Sequence, residues 1–405
     1  MSAPLGILVV ATRFPLASET FVRQQCIDLL RAGHRVTVLA LNAGDGAWTA
    51  EEEALGLPRQ VRVAAIDASI PARLARLPAR LVRTALRSPA AAIAALSPFR
   101  GRRALGLQLL AIGDALHAPR SFDAIHCQFG PAGAVAAEAI EAGLLRGTLG
   151  VGFYGYDLTR EPRRRGADCY AQLFRHARLL LPHSEYLAGR LRELGAPPER
   201  IVLHRLGVDL ARFPFVDRSA RTSPPVALAV GRFVEKKGFE YLIRGLAAAA
   251  NPPRLRLVGD GPLRPALVSL ARELGVEQRI EFAGWRSFDE VAAEMRNADF
   301  LIAPSVTAAD GDMEGLPLVI IEAMATGLPV IGSHHSGIPE LVVDGETGIT
   351  VPERDAAAVG RAIEAMSERP FRTALARAAR TRVEREFDGH RLAERLCALY
   401  RGQRA

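Results

Sequence analysis

Apolar runs of five to eight residues alternate with stretches of helical character along the whole chain. The first half contains LGILVVAT, RVTVLAL, FDAIHC, GVGFYG and RLLLPHS, and the second half contains VALAVG, RLRLVG, IEFAG, FLIAPS, PVIGS and GITVP. Strands that alternate with helices form parallel sheets with helices on both faces. A chain of 405 residues that is 49% hydrophobic can bury two such cores. The pattern therefore predicts an α/β protein with two successive doubly wound, Rossmann-like units.

Two glutamates with seven residues between them, Glu314 and Glu322, stand in the run MEGLPLVIIEAMATGLP. Proline is favoured near the first position of a helix, so GLP predicts a helix start. LVIIEAMA then continues as an apolar helix that Gly327 and Pro329 end. At 1.5 Å per residue, Glu314 before the helix and Glu322 within it are separated by up to about 12 Å. This distance suits one nucleotide sugar, with its sugar at one carboxylate and its ribose at the other.

Two cations lie upstream of these glutamates, in the segment GRFVEKKG that follows the apolar run VALAV. Arg232 and Lys237 are therefore expected in the loop after a strand, where open α/β sheets bind ligands. The N-terminus of the helix after Glu314 would add free N–H groups and a positive pole for a phosphate. Two cations for a diphosphate and two carboxylates for hydroxyls together predict a nucleotide-sugar site.

These motifs resemble the retaining glycosyltransferases of family 4, which have the GT-B fold. In the C-terminal half the resemblance lies in GRFVEKKGFEYLI, LVGDGPL, FAGW, ADFLIAPS, DGDMEGLPLVIIEAMATGLPV and HSGIPELVVDGETGITVP. In the N-terminal half it lies in FPLASETFVRQQ, IHCQFGPAG, FYGYDLT, SEYLAGRLRELG and LGVDLARF. SETF together with HCQFG is most similar to bacterial enzymes that extend lipid-linked exopolysaccharide or surface-glycan repeat units.

The resemblance implies two Rossmann-like domains that face a central cleft. Residues 1–215 are expected to bind the acceptor, and residues 216–382 are expected to bind the nucleotide-sugar donor. The boundary is predicted in the polar, proline-rich stretch at residues 215–226. Residues 383–405 are expected to contribute a terminal helix, over about 383–401, that packs back on the N-terminal domain.

The resemblance also implies hexosyl transfer with retention at the anomeric carbon, in which Arg232 and Lys237 neutralise the leaving diphosphate. Glu314 would bind hydroxyls of the donor sugar and act in catalysis. The nucleotide sugar is a substrate, and no cofactor or metal is expected, since the two cations and the helix dipole replace Mg²⁺. The implied donor-binding residues are Arg232, Lys237, Gly315, Leu316, Glu322, Gly259, Trp285 and the backbone of Ser336, Gly337 and Ile338.

The acceptor side is implied by the N-terminal motifs. Many relatives carry a histidine before the Gly-aromatic-Asp of FYGYDLT, placed against the donor sugar and the reaction centre, where this chain has Tyr154. The resemblance thus implies Glu314, Tyr154, Asp157 and His126 as catalytic residues, with Asp157 as a candidate for orienting an acceptor hydroxyl. His126 ends the run FDAIHC and is predicted either as an acceptor contact or as a packed core histidine. A further group of acceptor contacts is Arg13, Ser18, Glu19 and Thr20. Ser18, Glu19 and Thr20 suit an N-cap of the next helix equally well.

The excess positive charge lies in the first half of the chain. Residues 1–215 contain 27 Lys and Arg against 18 Asp and Glu, whereas residues 216–405 contain 25 against 26. Between Asp67 and Asp114 there is no acidic residue. The arginines in this interval are Arg73, Arg76, Arg80, Arg83, Arg87, Arg100, Arg102 and Arg103.

The first five of these arginines would share one helix face, beside a stripe of Leu74, Leu77 and Leu81. This pattern predicts that residues 73–103 contact an anionic membrane surface, with a helix break at Pro78. A solvated basic insertion is the alternative. Nucleic acid is disfavoured as a partner, because the arginines carry no interleaved aromatic platform.

No apolar run is long enough to span a membrane, and the N-terminus reads as a strand rather than a signal peptide. Four scattered cysteines, Cys26, Cys127, Cys169 and Cys397, support neither a disulfide framework nor a zinc site. The chain is therefore expected in the cytoplasm, with a peripheral position on the inner face of the cytoplasmic membrane as a further expectation.

Transfer to a polyprenyl-diphosphate-linked glycan is the leading functional prediction. The alternatives are a sugar-nucleotide epimerase or phosphorylase of the same fold, and a non-catalytic subunit that binds a nucleotide sugar in a glycan-assembly complex. The two cations and both glutamates argue against a decayed site. A hydride-transferring Rossmann enzyme is disfavoured, because no GxGxxG follows the first strand.

Overall fold

The structure, a computed structural model, describes residues 3–65, 70–87, 89, 92–93, 108–116, 121–221 and 224–403. The eleven apolar runs predicted as strands all form strands, and a short twelfth strand adds to the first sheet. The strands are β1 Gly6–Phe14, β2 Arg35–Ala43, β3 Val61–Val63, β4 Ser121–Gln128, β5 Arg146–Phe153, β6 Leu179–Pro182, β7 Val226–Val230, β8 Arg254–Val258, β9 Ile280–Gly284, β10 Phe300–Ala303, β11 Val330–Ser333 and β12 Gly348–Val351.

The strands form two separate six-stranded parallel sheets. The first has the order β3-β2-β1-β4-β5-β6 and the second has the order β12-β11-β10-β7-β8-β9. Both orders reverse direction beside the first strand of their sheet, which is the arrangement of a doubly wound fold. The predicted α/β architecture is therefore confirmed. Along the chain, the last strand of the first sheet ends at Pro182 and the first strand of the second sheet begins at Val226. The assignment of acceptor and donor domains stays a prediction.

Helices join the strands and cover both faces of each sheet. The described α-helices are α1 Thr20–Arg31, α2 Ala50–Ala54, α3 Leu57–Gln60, α4 Ile70–Arg87, α5 Gln108–Ala115, α6 Gly130–Glu141, α7 Arg160–Arg165, α8 Ala171–His176, α9 Glu185–Glu193, α10 Phe239–Ala248, α11 Arg264–Glu273, α12 Phe288–Asn297, α13 Leu318–Ala325, α14 Ala356–Ser367, α15 Arg369–Glu386 and α16 Gly389–Tyr400.

The last helix of the chain packs on the first sheet. Its residues Leu396 and Tyr400 share a hydrophobic core with Ile7 and Val9 of β1. The helix is shorter than the expected segment 383–401, because α15 runs to Glu386. Asp388 then caps α16 by accepting hydrogen bonds from the N–H groups of His390 and Arg391. A short interruption at residues 387–388 thus turns the chain from the second half back to the first.

The basic helix α4 runs through Pro78 without a break, so the predicted helix break is wrong. Leu77 and Leu81, on either side of the proline, both pack against the core of the first half, which holds both turns in place. Arg80 and Arg83 pair with Asp114 of α5, at 3.9 and 3.2 Å. Arg100, Arg102 and Arg103 lie outside the described residues, as do the side chains of Arg73, Leu74 and Arg87.

The exposed surface of α4 carries different apolar residues from the predicted leucine stripe. Val82 and Leu86 are 59% and 82% exposed. In the described part of the chain, no helix combines the length and the hydropathy that crossing a membrane requires.

Candidate functional site

A cleft of about 390 Å³ opens between the carboxyl ends of the two sheets. Carboxyl ends of parallel strands in open sheets are where ligands bind, because helix N-termini and loops converge there. The cleft brings together most of the residues predicted from the sequence. From the N-terminal half these are Ser18, Glu19, Thr20 and Tyr154, and from the C-terminal half they are Arg232, Lys237, Gly259, Trp285, Glu314, Gly315, Leu316 and Glu322.

The carboxylate of Glu314 lies between two lysines. Its Oε1 is 3.2 Å from Nζ of Lys237 and 3.7 Å from Nζ of Lys236, and Lys236 also pairs with Asp312 at 3.2 Å. Burial alone would raise the pKa of Glu314, but the charges of Lys237 and Lys236 outweigh it and lower the pKa to about 2. Glu314 is therefore a carboxylate at any physiological pH. The pairing of Lys236 with Glu314 was not predicted from the sequence.

The lysines and Arg232 are positioned by the turn that follows β7. Residues 235–237 form a short 3₁₀ turn, which ends at Gly238 with φ 65°. The neighbouring loop after β8 crosses closely, because a Cβ on Gly259 would stand 1.9 Å from the carbonyl oxygen of Gly231. Gly259 also has φ 134°, so only glycine fits this crossing without strain. Both loops thereby present backbone to the cleft.

The helix after Glu314 begins as predicted. Pro317 is the N-cap residue, and α13 covers LVIIEAMA. Within the described residues, the backbone N–H groups of Gly315 and Leu316 donate to no protein group, so they are available to an anion at the positive end of α13. The loop also touches the opposite wall, since a Cβ on Gly315 would lie 1.7 Å from the carbonyl oxygen of Tyr154.

Glu322 stands in the body of α13 and faces the same cleft. Its side chain is buried, and burial raises its pKa from 4.5 to about 7. A buried carboxylate gains from hydroxyl donors, because each hydrogen bond offsets part of the lost hydration.

His335 holds the Glu314 loop, a role that the sequence prediction missed. Its Nε2 accepts a hydrogen bond of 3.2 Å from the backbone N–H of Glu314, and its Nδ1 lies 2.7 Å from Oε1 of Glu353. The segment from Ser336 to Ile338 was expected to contact the donor but does not line the cleft. Instead, the N–H of Gly337 donates to the carbonyl of Gly315 at 3.1 Å, which fixes the loop from behind.

Tyr154 lies at the end of β5, on the wall of the cleft that residues of the N-terminal half form and that we call the first wall. Its hydroxyl donates to the side chain of Gln128, which in turn donates to Gln25 at 2.6 Å. Burial, the largest influence, and the nearby carboxyls of Asp157 and Glu19 raise the pKa of this phenol, so Tyr154 stays neutral. The structure thus places a neutral hydrogen-bonded phenol where many relatives have a histidine.

Asp157 does not line the cleft, and its role as an acceptor contact stays a prediction. The residue is fully buried, and its two carboxylate oxygens accept from the N–H groups of Gly130, Tyr154 and Gly155 at 2.9–3.1 Å. Burial raises its pKa, and these backbone hydrogen bonds oppose the rise, leaving it at about 6. Asp157 positions the loops that carry the first wall.

His126 and Arg13 also lie away from the cleft. Strand β4 continues one residue beyond the predicted run, to Gln128, so His126 sits inside the sheet. Its Nδ1 lies 2.8 Å from the hydroxyl of Tyr400 in α16. Burial lowers the pKa of His126 to about 4. Arg13 belongs to β1 and pairs with Asp45 at 3.3 Å. His126 is thus a packed core residue in this structure, and its role as an acceptor contact stays a prediction.

Glu19 is the N-cap residue of α1, but its side chain makes no capping hydrogen bond. It instead lines the cleft opposite Arg232. Burial raises its pKa to about 7, against the lowering charges of Arg13 and Arg232. A capping role, predicted as an alternative for Ser18, Glu19 and Thr20, therefore does not account for the position of the Glu19 carboxyl in the cleft.

Two family models match the chain. The model described as "Glycosyltransferase Family 4" matches residues 18–212, and the model described as "Glycosyl transferases group 1" matches residues 224–369. A protein of Salmonella typhimurium named as a colanic acid biosynthesis glycosyltransferase, WcaL, is 38% identical over 396 residues, which covers 96% of this chain and 97% of the relative. The amylovoran biosynthesis glycosyltransferase AmsK of Erwinia amylovora is 32% identical over 397 residues, covering 93% and 95%.

Solved structures show the same fold at low sequence identity. HepE of Anabaena in complex with UDP superposes with a TM-score of 0.73 at 19% identity, covering 98% of this chain and all of that one. The lipopolysaccharide outer core galactosyltransferase WaaB superposes with a TM-score of 0.65 at 16% identity, covering 98% and 99%. The full-length matches and the two facing parallel sheets lead to one conclusion: this chain is a glycosyltransferase of family 4 with the GT-B fold.

Proposed function

We propose that the protein transfers a hexose, with retention of anomeric configuration, from a nucleotide sugar to a lipid-linked glycan during exopolysaccharide synthesis. The observation that carries this proposal is the pairing of Glu314 with Lys237 and Lys236 at the start of α13, in the interdomain cleft. Exopolysaccharide synthesis is supported by the names of WcaL and AmsK, to which the chain is similar over nearly its whole length.

A nucleoside diphosphate is the proposed donor moiety. Arg232 and Lys237 would hold the diphosphate, together with the N–H groups of Gly315 and Leu316 at the positive end of α13. Glu322 would accept hydrogen bonds from the ribose. HepE, which has the same fold, was solved with UDP and with UDP-glucose, so uridine donors are the first to test.

The proposed chemical step exchanges one bond at the anomeric carbon for another on the same face of the sugar. The bond from this carbon to the diphosphate oxygen breaks, the acceptor oxygen bonds to the carbon, and the acceptor proton passes to the departing phosphate. Negative charge grows on the diphosphate, where Arg232, Lys237 and the N–H groups stabilise it. When a phosphate draws Lys237 towards itself, the carboxylate of Glu314 becomes available to hydroxyls of the sugar.

Metal independence is part of the proposal. Arg232, Lys236 and Lys237 line one wall of the cleft and supply the positive charge that Mg²⁺ supplies in other transferases. Equal transfer rates with EDTA and with added Mg²⁺ would support this. A rate that depends on added Mg²⁺ would contradict it.

The acceptor is proposed to be a polyprenyl-diphosphate-linked glycan, reached at the inner face of the cytoplasmic membrane. Exposed Val82 and Leu86 of α4, with the 51% exposed Arg83 between them, support contact with an anionic surface. Co-sedimentation with vesicles that contain anionic lipid tests this contact. Loss of sedimentation in a Val82→Ser/Leu86→Ser double variant is expected, and unchanged sedimentation would contradict it.

A donor panel is the decisive experiment. The pure protein is incubated with uridine-, guanosine- and other nucleotide-linked sugars, with and without an extract of lipid-linked acceptors, and released nucleoside diphosphate is measured. We expect release from one donor, stimulation by acceptor and loss in Glu314→Ala. Acceptor-independent conversion of the sugar would favour an epimerase. Donor binding without any release would favour the non-catalytic subunit. Nuclear magnetic resonance of the product then reports whether the configuration is retained.

A further inference from the structure

Five rings pack against one another on the first wall of the cleft. Phe21 lies at the start of α1, Phe129 follows β4, Tyr154 and Tyr156 follow β5, and His183 follows β6. The ring of Tyr154 is central, with centroids 4.6 Å from Phe21, 4.5 Å from Phe129 and 4.2 Å from His183. Tyr156 joins through Phe129 at 5.1 Å. We call this set the aromatic platform, and all five rings line the cleft.

The backbone at Phe129 is strained so that its ring can take this place. Its φ of 70° and ψ of 149° fall in a region that is nearly restricted to glycine, so this backbone conformation is strained. The N–H of Phe129 donates to the carbonyl of Gly152 at 3.0 Å, and the N–H of Gly130 donates to Asp157 at 3.1 Å. The buried carboxylate of Asp157 thus helps to hold a bulky residue at a position where the backbone conformation alone would favour glycine. Strain of this kind is characteristic of ligand sites.

His183 adds an unsatisfied polar group to the platform. It is 1% exposed, and among the described residues no hydrogen bond of good geometry reaches either ring nitrogen, although the backbone of His204 lies close enough to act on the pKa of the ring. Burial lowers its pKa to about 3, so the ring is neutral and offers one donor and one acceptor. A buried polar group without a partner is unfavourable, and a hydroxyl that reached it from the cleft would remove that cost.

Carboxyl oxygens lie on the same wall. Glu19 lines the cleft beside the platform, and its carboxyl is near enough to Tyr154 and Tyr156 to raise the pKa of both phenols, after the larger effect of burial. Aromatic faces, an imidazole and a carboxyl in one place match a pyranose, which has an apolar C–H face and a rim of hydroxyls. Binding sites for small molecules commonly combine such an apolar surface with few polar groups.

We propose that the aromatic platform is a subsite for the terminal pyranose of the acceptor glycan. The sugar packs its C–H face against the exposed parts of Phe21, Tyr154 and Tyr156, and His183 and Glu19 bind its hydroxyls. This inference rests on the proposed function. The platform lies on the wall opposite the diphosphate cations, yet Tyr154 touches Gly315 beside Glu314, so a sugar on the platform meets the anomeric carbon of the donor. The nucleobase would lie on the other wall, near Gly259 and Trp285.

Saturation-transfer nuclear magnetic resonance tests the platform without requiring catalysis. The probes are the methyl α- and β-glycosides of glucose, galactose, mannose and fucose, each with the full-length protein and saturating UDP. For at least one sugar we expect saturation concentrated on the C–H protons of one face. In Tyr156→Leu and in Phe21→Leu the saturation should fall at least threefold. The matched control, Phe371→Leu, replaces an exposed ring outside the cleft and should leave it unchanged.

Kinetics then separates the acceptor from the donor. With the acceptor found in the donor panel, Tyr156→Leu should raise KM for the acceptor about tenfold, which is 1.4 kcal/mol, and leave the Kd for UDP unchanged. His183→Phe keeps a ring against Tyr154 but loses the nitrogens, so it should raise KM without abolishing the saturation.

Four outcomes would overturn the inference. The first is saturation of a sugar that persists in both leucine variants, and the second is saturation without a preferred face of the sugar. The third is that no sugar is saturated although UDP binds. The fourth is that saturation of the uracil protons falls in Tyr156→Leu, which would assign the platform to the donor base. If no nucleoside diphosphate binds, the proposed function fails instead, and the sugar signals still report on the platform.

Discussion

The ammonium of Lys237 lies 3.2 Å from the carboxylate of Glu314, across the floor of the cleft. Both side chains are largely removed from solvent, at 18% and 12% exposure, so their attraction is weakly screened. In the proposed donor complex, a diphosphate and this carboxylate would compete for the same cation. Donor binding would then break the ion pair, and binding at the phosphate site would free the Glu314 carboxylate.

Glu314→Ala should lower kcat for transfer about 10²–10³-fold, the effect of removing one preorganised polar group from a reaction centre. Lys237→Ala should lower kcat as well and also weaken UDP binding, because Lys237 faces the diphosphate. Steady-state kinetics and titration calorimetry separate the two. Wild-type rates in both variants would contradict the assignment of this site.

The same pair makes an acid-sensitive contribution to stability. The pKa of Glu314 is lowered from 4.5 to about 2, so its stabilisation is present above pH 4.5 and is lost as the pH falls towards 2. We expect Lys237→Ala to reduce the free energy of unfolding by about 2 kcal/mol at pH 7, and by much less near pH 2. Urea unfolding at both pH values measures this, with exposed Lys or Arg variants as controls. An equal loss at both pH values would show that the charge pair is not responsible.

Glu322→Gln should stabilise the nucleotide-free protein at alkaline pH. The pKa of Glu322 is raised from 4.5 to about 7, so burying its ionised form becomes costly as the pH rises from 4.5 to above 7. At one pKa unit per 1.36 kcal/mol, the gain approaches about 3 kcal/mol at pH 8 and is small at pH 5. Thermal or urea unfolding at the two pH values tests this. A variant that is less stable at pH 8 would contradict it.

UDP affinity should rise with pH up to about 7, up to tenfold per unit, because ribose hydroxyls donate to the ionised form of Glu322. Binding near pH 6.5 should therefore release protons, and calorimetry in buffers of different ionisation enthalpy measures that release. Glu322→Gln should bind UDP more weakly and lose this component of the pH dependence. A proton release that persists in Glu322→Gln would assign it to another group, and Glu19 would be the next candidate.

Asp157→Asn should damage the first wall without touching the donor site. Asp157 accepts three backbone hydrogen bonds from two loops, and an amide oxygen cannot replace both carboxylate oxygens. We expect a loss of about 2 kcal/mol in the free energy of unfolding and at least a tenfold drop in transfer. UDP binding should stay near wild type. Weakened UDP binding in a folded variant would show that Asp157 acts on the donor side as well.

The wall of the cleft that the C-terminal half forms could be predicted from the sequence, because its charged residues lie in two short segments at strand ends. Strand-to-helix loops place Arg232, Lys237 and Glu314 in the cleft whatever the rest of the chain does. The residues that hold these side chains and loops in place could not be predicted in the same way. His335 holds Glu314 through a hydrogen bond that no local pattern indicates.

The first wall was predicted less well, because tertiary packing decides it. His126 stays inside β4, since that strand is longer than its apolar run and Tyr400 arrives from the far end of the chain to pair with it. The platform gathers rings from four separate segments, and no spacing in the sequence links Phe21 with His183. Tertiary packing also explains why Pro78 lies inside α4: the contacts of Leu77 and Leu81 with the core outweigh the tendency of proline to end a helix.

The return of α16 to the first sheet bears on how this protein can be recombined with its relatives. A cut within residues 215–226 separates the two sheets but divides the core that contains Ile7 and Tyr400. A chimera that takes residues 1–215 from one parent and the remainder from another would join two halves of that core that were never selected together. Exchanging residues 389–403 along with the first half keeps the core from one parent. Donor preference could then be moved between relatives as an intact module.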